Sequence, residues 1–128
     1  MISIIICTFN RSGMLKETVD SFLNCRADGL NYEVLLVDNN STDKTREVAE
    51  RITRESPRMR YLFEPLQKLS HARNAGIRES RGEYIAFVDD DVYFSPSWLE
   101  AMVSAFERHP EIDCIGGKVI PHFEAEKP

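Results

Sequence analysis

The chain lacks any close pair of cysteines: Cys7, Cys25 and Cys114 are odd in number and widely spaced, which excludes a disulfide framework and a zinc knuckle. They read as buried apolar residues. Long apolar runs are missing too. The one nearest the start, Ile2 to Cys7, is interrupted by Ser3 and has no basic region before it, so it is neither a membrane span nor a signal sequence. A cytoplasmic location, or one peripheral to a membrane, is expected, with no transmembrane segment. Basic charge is also short: 16 Lys plus Arg against 21 Asp plus Glu leave a net charge of −5, which disfavours attraction to a nucleic-acid backbone. Nucleic acid is not an expected partner. No internal repeat or low-complexity segment is present, and 128 residues, 42% of them hydrophobic, suit a single globular domain spanning 1–128.

What the chain does have is an alternation of two hydrophobic periods. Ile2 to Cys7 is a β-branched run that reads as a strand covered on both faces. After Gly13, the residues Leu15, Val19, Phe22 and Leu23 fall on one helical face, ending near Asn24. A second strand, Tyr32 to Val37, gives way to the turn-forming Asp38 to Asp43, which leads into a helix over about Lys44 to Glu55, stopped by Pro57. A strand near Arg60 to Phe63, a helix from about Ser70 to Glu79, a turn at Gly82 and the strand Tyr84 to Val88 follow. Pro96 opens a last helix with Trp98, Leu99, Met102, Val103 and Phe106 as its apolar stripe, and Ile112 to Val119 reads as a further strand. Strand and helix alternating in this way predict an α/β fold, a mostly parallel sheet with helices on both faces. Ligands in such sheets bind beyond the carboxyl ends of the strands.

The acidic residues sit at that end. The apolar run Tyr84 to Val88 stops at Asp89-Asp90-Asp91, and three consecutive carboxylates need a cation or a cationic ligand nearby to offset their repulsion. Asp89 and Asp91 have D-x-D spacing, which suits a hard divalent ion, Mg²⁺ or Mn²⁺; acidic triplets also occur as solvated turns and helix caps. Asp90 either faces a sugar hydroxyl or faces solvent. Asp38 is placed to accept a hydrogen bond from a base or ribose, or to close a turn on its own backbone. Asp43 reads as structural, complementing a helix N-terminus. Arg73 lies in a locally basic segment with Lys68, His71, Arg78 and Arg81, and its planar guanidinium suits a diphosphate or a carboxylate of the crevice. Cys7 has no evident base beside it and does not read as a nucleophile.

Four segments together resemble the family 2 glycosyltransferases: Ile4 to Arg11, Val37 to Thr45, Ala72 to Ile77 and Gly82 to Asp91, in the family's order. The resemblance runs from Ile2 to about Gly117. It implies the GT-A fold and an inverting transfer of sugar from a nucleotide diphosphate donor, most often a UDP-sugar, to an acceptor hydroxyl on a carbohydrate or lipid-linked acceptor. By resemblance, Thr8 and Asp38 hold the base, Arg73 contacts base or diphosphate, and Asp89 and Asp90 contact ribose and donor sugar. Asn10 falls within the same substrate-binding motifs, and Asp91, with Asp89, takes the metal, Mg²⁺ or Mn²⁺. The resemblance puts the general base in a second half of the protein. Glu124 and Glu126 lie in a polar tail without the family's context for that base, so the catalytic base is not assigned here. The chain therefore reads as a nucleotide-sugar-binding domain whose acceptor-binding half is absent. The alternative is a non-catalytic nucleotide-sugar-binding or interaction module of the same fold. A dinucleotide-binding dehydrogenase is excluded, because Thr8-Phe9-Asn10-Arg11-Ser12-Gly13 after the first strand is not G-x-G-x-x-G.

Overall fold

The computed structural model describes residues 1–123. Four strands, β1 (Ile2–Thr8), β2 (Tyr32–Asp38), β3 (Met59–Phe63) and β4 (Tyr84–Val88), alternate with helices α1 (Ser12–Leu23), α2 (Thr45–Glu55), α3 (Leu69–Glu79) and α4 (Trp98–Arg108). All strand pairs are parallel, in the order β3-β2-β1-β4. The chain builds outward from β1 through β2 to β3, then returns to the other side of β1 to lay down β4. That reversal opens a crevice at the carboxyl ends of β1 and β4.

β1 and β2 are buried almost throughout, the pattern of parallel strands covered on both faces. Alternation divides the core into two. Ile2, Ile4, Ile6, Val34 and Leu36 pack with Leu15, Val19, Phe22, Ala49 and Leu99, from α1, α2 and α4. Ile5, Leu35 and Val37 turn the other way onto Ala72 and Ala75 of α3. A single helix covers this second face, and it sits close: a Cβ on Gly76 would lie 2.5 Å from Ile5 Cγ2. The small residues Ala72, Ala75 and Gly76 make that approach possible, and with it the position of Arg73 at the start of the same helix.

At the amino end of this second face lies a buried polar knot. Glu33 accepts from the Ser3 hydroxyl at 2.7 Å, from the Arg81 N–H at 2.6 Å and from Arg60 Nη1 at 2.9 Å. Burial pushes its carboxyl up, and these donors more than offset that, so the group ends below the ordinary glutamate range.

Eight of the nine predicted elements appear with boundaries within about two residues, but the strand expected over Ile112 to Val119 does not. That stretch carries no regular structure, and Val119 is 84% exposed. A strand needs a ladder partner, and Gly116-Gly117 offers no side chains to pack in its place. Among the described residues no strand pairs with the outer edge of β4, whose Ile85 and Phe87 are exposed. Of the apolar stripe expected on α4, Leu99 is fully buried. Trp98 closes an edge-to-face aromatic cluster with Phe22 and Phe94. No helix among the described residues is long and apolar enough to cross a membrane.

Candidate functional site

Parallel pairing brings the ends of β1, β2 and β4 to one rim. Thr8 ends β1 opposite Asp38 of β2, and the Asn39 N–H continues the ladder by donating to the Thr8 carbonyl at 2.9 Å. Beyond this rim lies an open cleft of about 700 Å³ walled by Cys7, Thr8, Phe9, Arg11, Asn39, Gln67, Lys68, Leu69, Ala72 and the triplet Asp89 to Asp91. Four of the seven candidate site residues, Thr8, Asp89, Asp90 and Asp91, therefore face one space. Thr8 Oγ1 is fully buried and finds no hydrogen-bond partner among the described residues. A buried hydroxyl without a partner is costly in a folded chain, and the residue that carries it lines the cleft.

The other three candidates stand apart from that wall. Asp38 is 1% exposed, and its carboxylate accepts from the Ser41 N–H at 2.9 Å and the Tyr61 hydroxyl at 3.0 Å. The turn that the sequence left open as an alternative is thus formed. Tyr61, in turn, is held neutral well beyond its usual range by burial and by this carboxylate. Arg73 sits outside the cleft lining, with Nη2 at 3.8 Å from Asp89 Oδ1 and its guanidinium over the Phe87 ring at 5.5 Å. Asn10 does not face the cleft. Its side chain accepts from the N–H groups of Thr42 and Asp43 at 2.8 and 3.3 Å, and its own N–H donates to Ser41 Oγ at 3.0 Å. It does so from φ 51°, a conformation that asparagine tolerates. Asp43, just before α2, is structural as expected, accepting from the Thr45 N–H at the helix start at 2.8 Å.

The triplet has cationic neighbours, as its charge requires, and they are arginines. Arg11 Nη1 bridges Asp90 Oδ1 at 3.2 Å and Asp91 Oδ2 at 3.0 Å, and these carboxylates push the Arg11 pKa further up. The loop after the triplet is tied to α1, the Val92 N–H donating to Thr18 Oγ1 and the Phe94 N–H to Ser21 Oγ. Arg11 carried no assigned role in the sequence, although it belongs to the first motif. The signal for it is topological: once β4 is known to flank β1, a cation three residues past β1 faces whatever follows β4. Gln67, Lys68 and Leu69 were also unassigned, and they reach the wall because the Lys68 N–H is fixed by Asn39 Oδ1 at 2.8 Å.

Cys7 is unsuited to nucleophilic work: burial drives its thiol up to about 11, against the opposing pull of Arg73. For a metal, Asp89 and Asp91 offer hard, solvent-facing oxygens. Among the described residues no group of three or more His, Cys, Asp or Glu is arranged to hold an ion alone. One or two carboxylates suit an ion completed by phosphate oxygens and water, the usual habit of Mg²⁺. The donor set fits a cation that arrives with an anionic ligand. Glu124 and Glu126 fall outside the described residues.

A family model described as glycosyl transferase family 2 matches residues 3–126. An uncharacterized glycosyltransferase, EpsJ, of Bacillus subtilis is 33% identical over 116 residues, which are 91% of this chain and 33% of that protein. The chain spans about a third of the length of such curated relatives. Among solved structures, S. aureus TarS 1–349 in complex with UDP superimposes with a TM-score of 0.77 at 22% identity, covering 94% of this chain and 38% of that one. The mannosyltransferase PcManGT of Pyrobaculum calidifontis, in complex with GDP-Man and Mn²⁺, gives a TM-score of 0.73 at 24% identity, over 82% of this chain and 32% of that one. At these identities the two structures establish the architecture.

Proposed function

The chain belongs to glycosyl transferase family 2 and has the GT-A fold, and from that premise we propose that it binds the donor in an inverting, metal-dependent transfer of sugar from a UDP-sugar to an acceptor hydroxyl. One observation supports the reading most: Thr8, whose hydroxyl is buried without a partner among the described residues, and the acidic triplet line the same cleft. The hydroxyl calls for a polar ligand atom, and the carboxylates call for a cation. A metal-bound nucleoside diphosphate supplies both.

In this reading Thr8 and Asp38 hold the base. The Asp38 role rests on the family resemblance: in the free protein Asp38 is 1% exposed and each of its oxygens accepts one hydrogen bond within the fold. Asn10 acts by holding the loop that follows β2. Arg73 faces base or diphosphate, with Asp89 beside it; Asp89 and Asp90 meet ribose and donor sugar. Asp91, with Asp89, takes Mg²⁺ or Mn²⁺, which when bound neutralises charge on the departing nucleotide. No residue of this chain is assigned as the general base, so donor binding is the activity proposed for these 128 residues. The relatives named above with UDP and with GDP-Man and Mn²⁺ support a nucleotide donor and leave both bases to be compared.

Calorimetric titration of the chain with UDP and GDP, each with Mn²⁺ and with chelator, tests the reading. UDP is expected to bind with Mn²⁺ at about micromolar to millimolar Kd, and Asp91→Asn to remove most of the metal-dependent gain. Equal UDP affinity with and without chelator overturns the metal assignment.

A further inference from the structure

Arg11 is a charged cleft residue to which the nucleotide reading gives no work. A single nitrogen of its guanidinium contacts carboxylates of two consecutive residues, at 3.2 and 3.0 Å, and its side chain remains 48% exposed. Its backbone is fixed independently. The Arg11 N–H donates to Thr45 Oγ1 at 3.1 Å, and its carbonyl accepts the Leu15 N–H at 2.9 Å. The side chain can therefore change partners without disturbing the loop that carries it. Arg73, by contrast, also rests on the Phe87 ring.

Charge gives the exchange a direction. Three carboxylates are matched by two guanidinium groups and by Lys68 on the same cleft wall, so the free cleft carries no net charge to draw a diphosphate. A divalent cation makes it positive. It also competes with Arg11 for the same Asp91 oxygen, because a carboxylate oxygen held by a guanidinium is a poorer metal donor. Thr8, a second residue of the same cleft, holds a buried hydroxyl without a partner among the described residues, a polar group that a small shift of the loop would offer to a ligand.

Resting on the nucleoside diphosphate reading above, we infer that Arg11 is an exchangeable counter-ion: it neutralises Asp90 and Asp91 in the free protein, gives them up to an arriving divalent cation, and turns its guanidinium onto the diphosphate. The planar fork of arginine suits both partners, carboxylate and phosphate. Two ligands thus assemble in order, with Arg11 serving the acid cluster first and the nucleotide second.

The test separates the two stages. Wild type, Arg11→Gln and Arg11→Lys are each titrated with Mn²⁺ alone, followed by electron paramagnetic resonance of the free ion. UDP is then titrated at saturating Mn²⁺, and a thermal melt of each variant without ligand compares their folding. Arg11→Gln is expected to bind Mn²⁺ about 3–10-fold more tightly and UDP about 3–10-fold more weakly. Arg11→Lys, which keeps the charge and loses the fork, falls between on both axes. Opposite signs for the two ligands support the exchange. Unchanged Mn²⁺ affinity, or changes of the same sign, overturn it. If wild type binds UDP with Mn²⁺ and Arg11→Gln binds Mn²⁺ as wild type does, the exchange fails and the nucleotide reading stands. If wild type binds no UDP, the nucleotide reading fails and takes the exchange with it.

Discussion

Thr8 and Asp38 are register partners on the last rung shared by β1 and β2, yet they treat their polar atoms in opposite ways. Asp38 engages both carboxylate oxygens within the fold, whereas the Thr8 hydroxyl engages nothing. One rung thus holds a strut and a buried hydroxyl left unused within the fold.

Thr8→Val keeps shape and removes the partnerless hydroxyl. Thermal stability is expected to stay level or rise slightly, because no hydrogen bond is lost in the free protein. UDP affinity in Mn²⁺ is expected to fall about 2–10-fold, the worth of one hydrogen bond. Full UDP affinity in this variant would show that the hydroxyl is not a ligand contact.

Asp38→Ala strands the Ser41 N–H and the Tyr61 hydroxyl at a buried position. A loss of about 1–3 kcal/mol in chemical denaturation is expected, with Tyr61→Phe losing less because Asp38 keeps Ser41. If Asp38→Ala unfolds at the wild-type denaturant midpoint, the strut assignment is wrong. Base discrimination has to be compared at a temperature where the variant is still folded.

Two glycines provide a matched pair. A Cβ on Gly82 would lie 2.6 Å from the Ser3 backbone nitrogen, whereas one on Gly13 meets nothing within 4 Å. Gly82→Ala is expected to lose about 1–3 kcal/mol through a clash that backbone cannot relieve. Gly13→Ala, inside the first turn of α1, is expected to gain up to about 1 kcal/mol. Equal melting temperatures for the two variants would contradict the close approach at Gly82.

Glu33 sets an acid limb. Its folded carboxyl lies below the ordinary glutamate range despite burial, because Ser3, Arg81 and Arg60 donate to it. A depressed carboxyl contributes stability that is fully present above the unfolded value and disappears as pH falls through the folded one. Glu33→Gln is expected to be about 1–3 kcal/mol less stable at pH 7, with the gap closing below about pH 4. A gap independent of pH between 7 and 3 would remove Glu33 from the acid limb.

The eight elements were legible because each rests on a local signal. β1 is rich in β-branched residues and β2 has an apolar run, α1 and α2 have an apolar stripe, and Pro57 and Pro96 mark boundaries. Ile112 to Val119 carries the same kind of signal and forms no strand, since apolar content does not supply a ladder partner. The acidic triplet was legible as a group in need of cations, but the identity of those cations was not. Arg11 and Asp91 are 80 positions apart, and their meeting depends on β4 returning to flank β1, which spacing along the chain does not encode. Asn10 was likewise legible as part of a motif, while its task of gripping the loop after β2 follows from side-chain direction.

The grip of Asn10 and Arg11 on Ser41, Thr42, Asp43 and Thr45 locks the loops after β1 and β2 into a single plate before anything binds. A guest settling on that plate need not freeze it, so little conformational entropy is lost on that side. Selectivity there is governed by fit to a fixed template rather than by folding around whatever arrives.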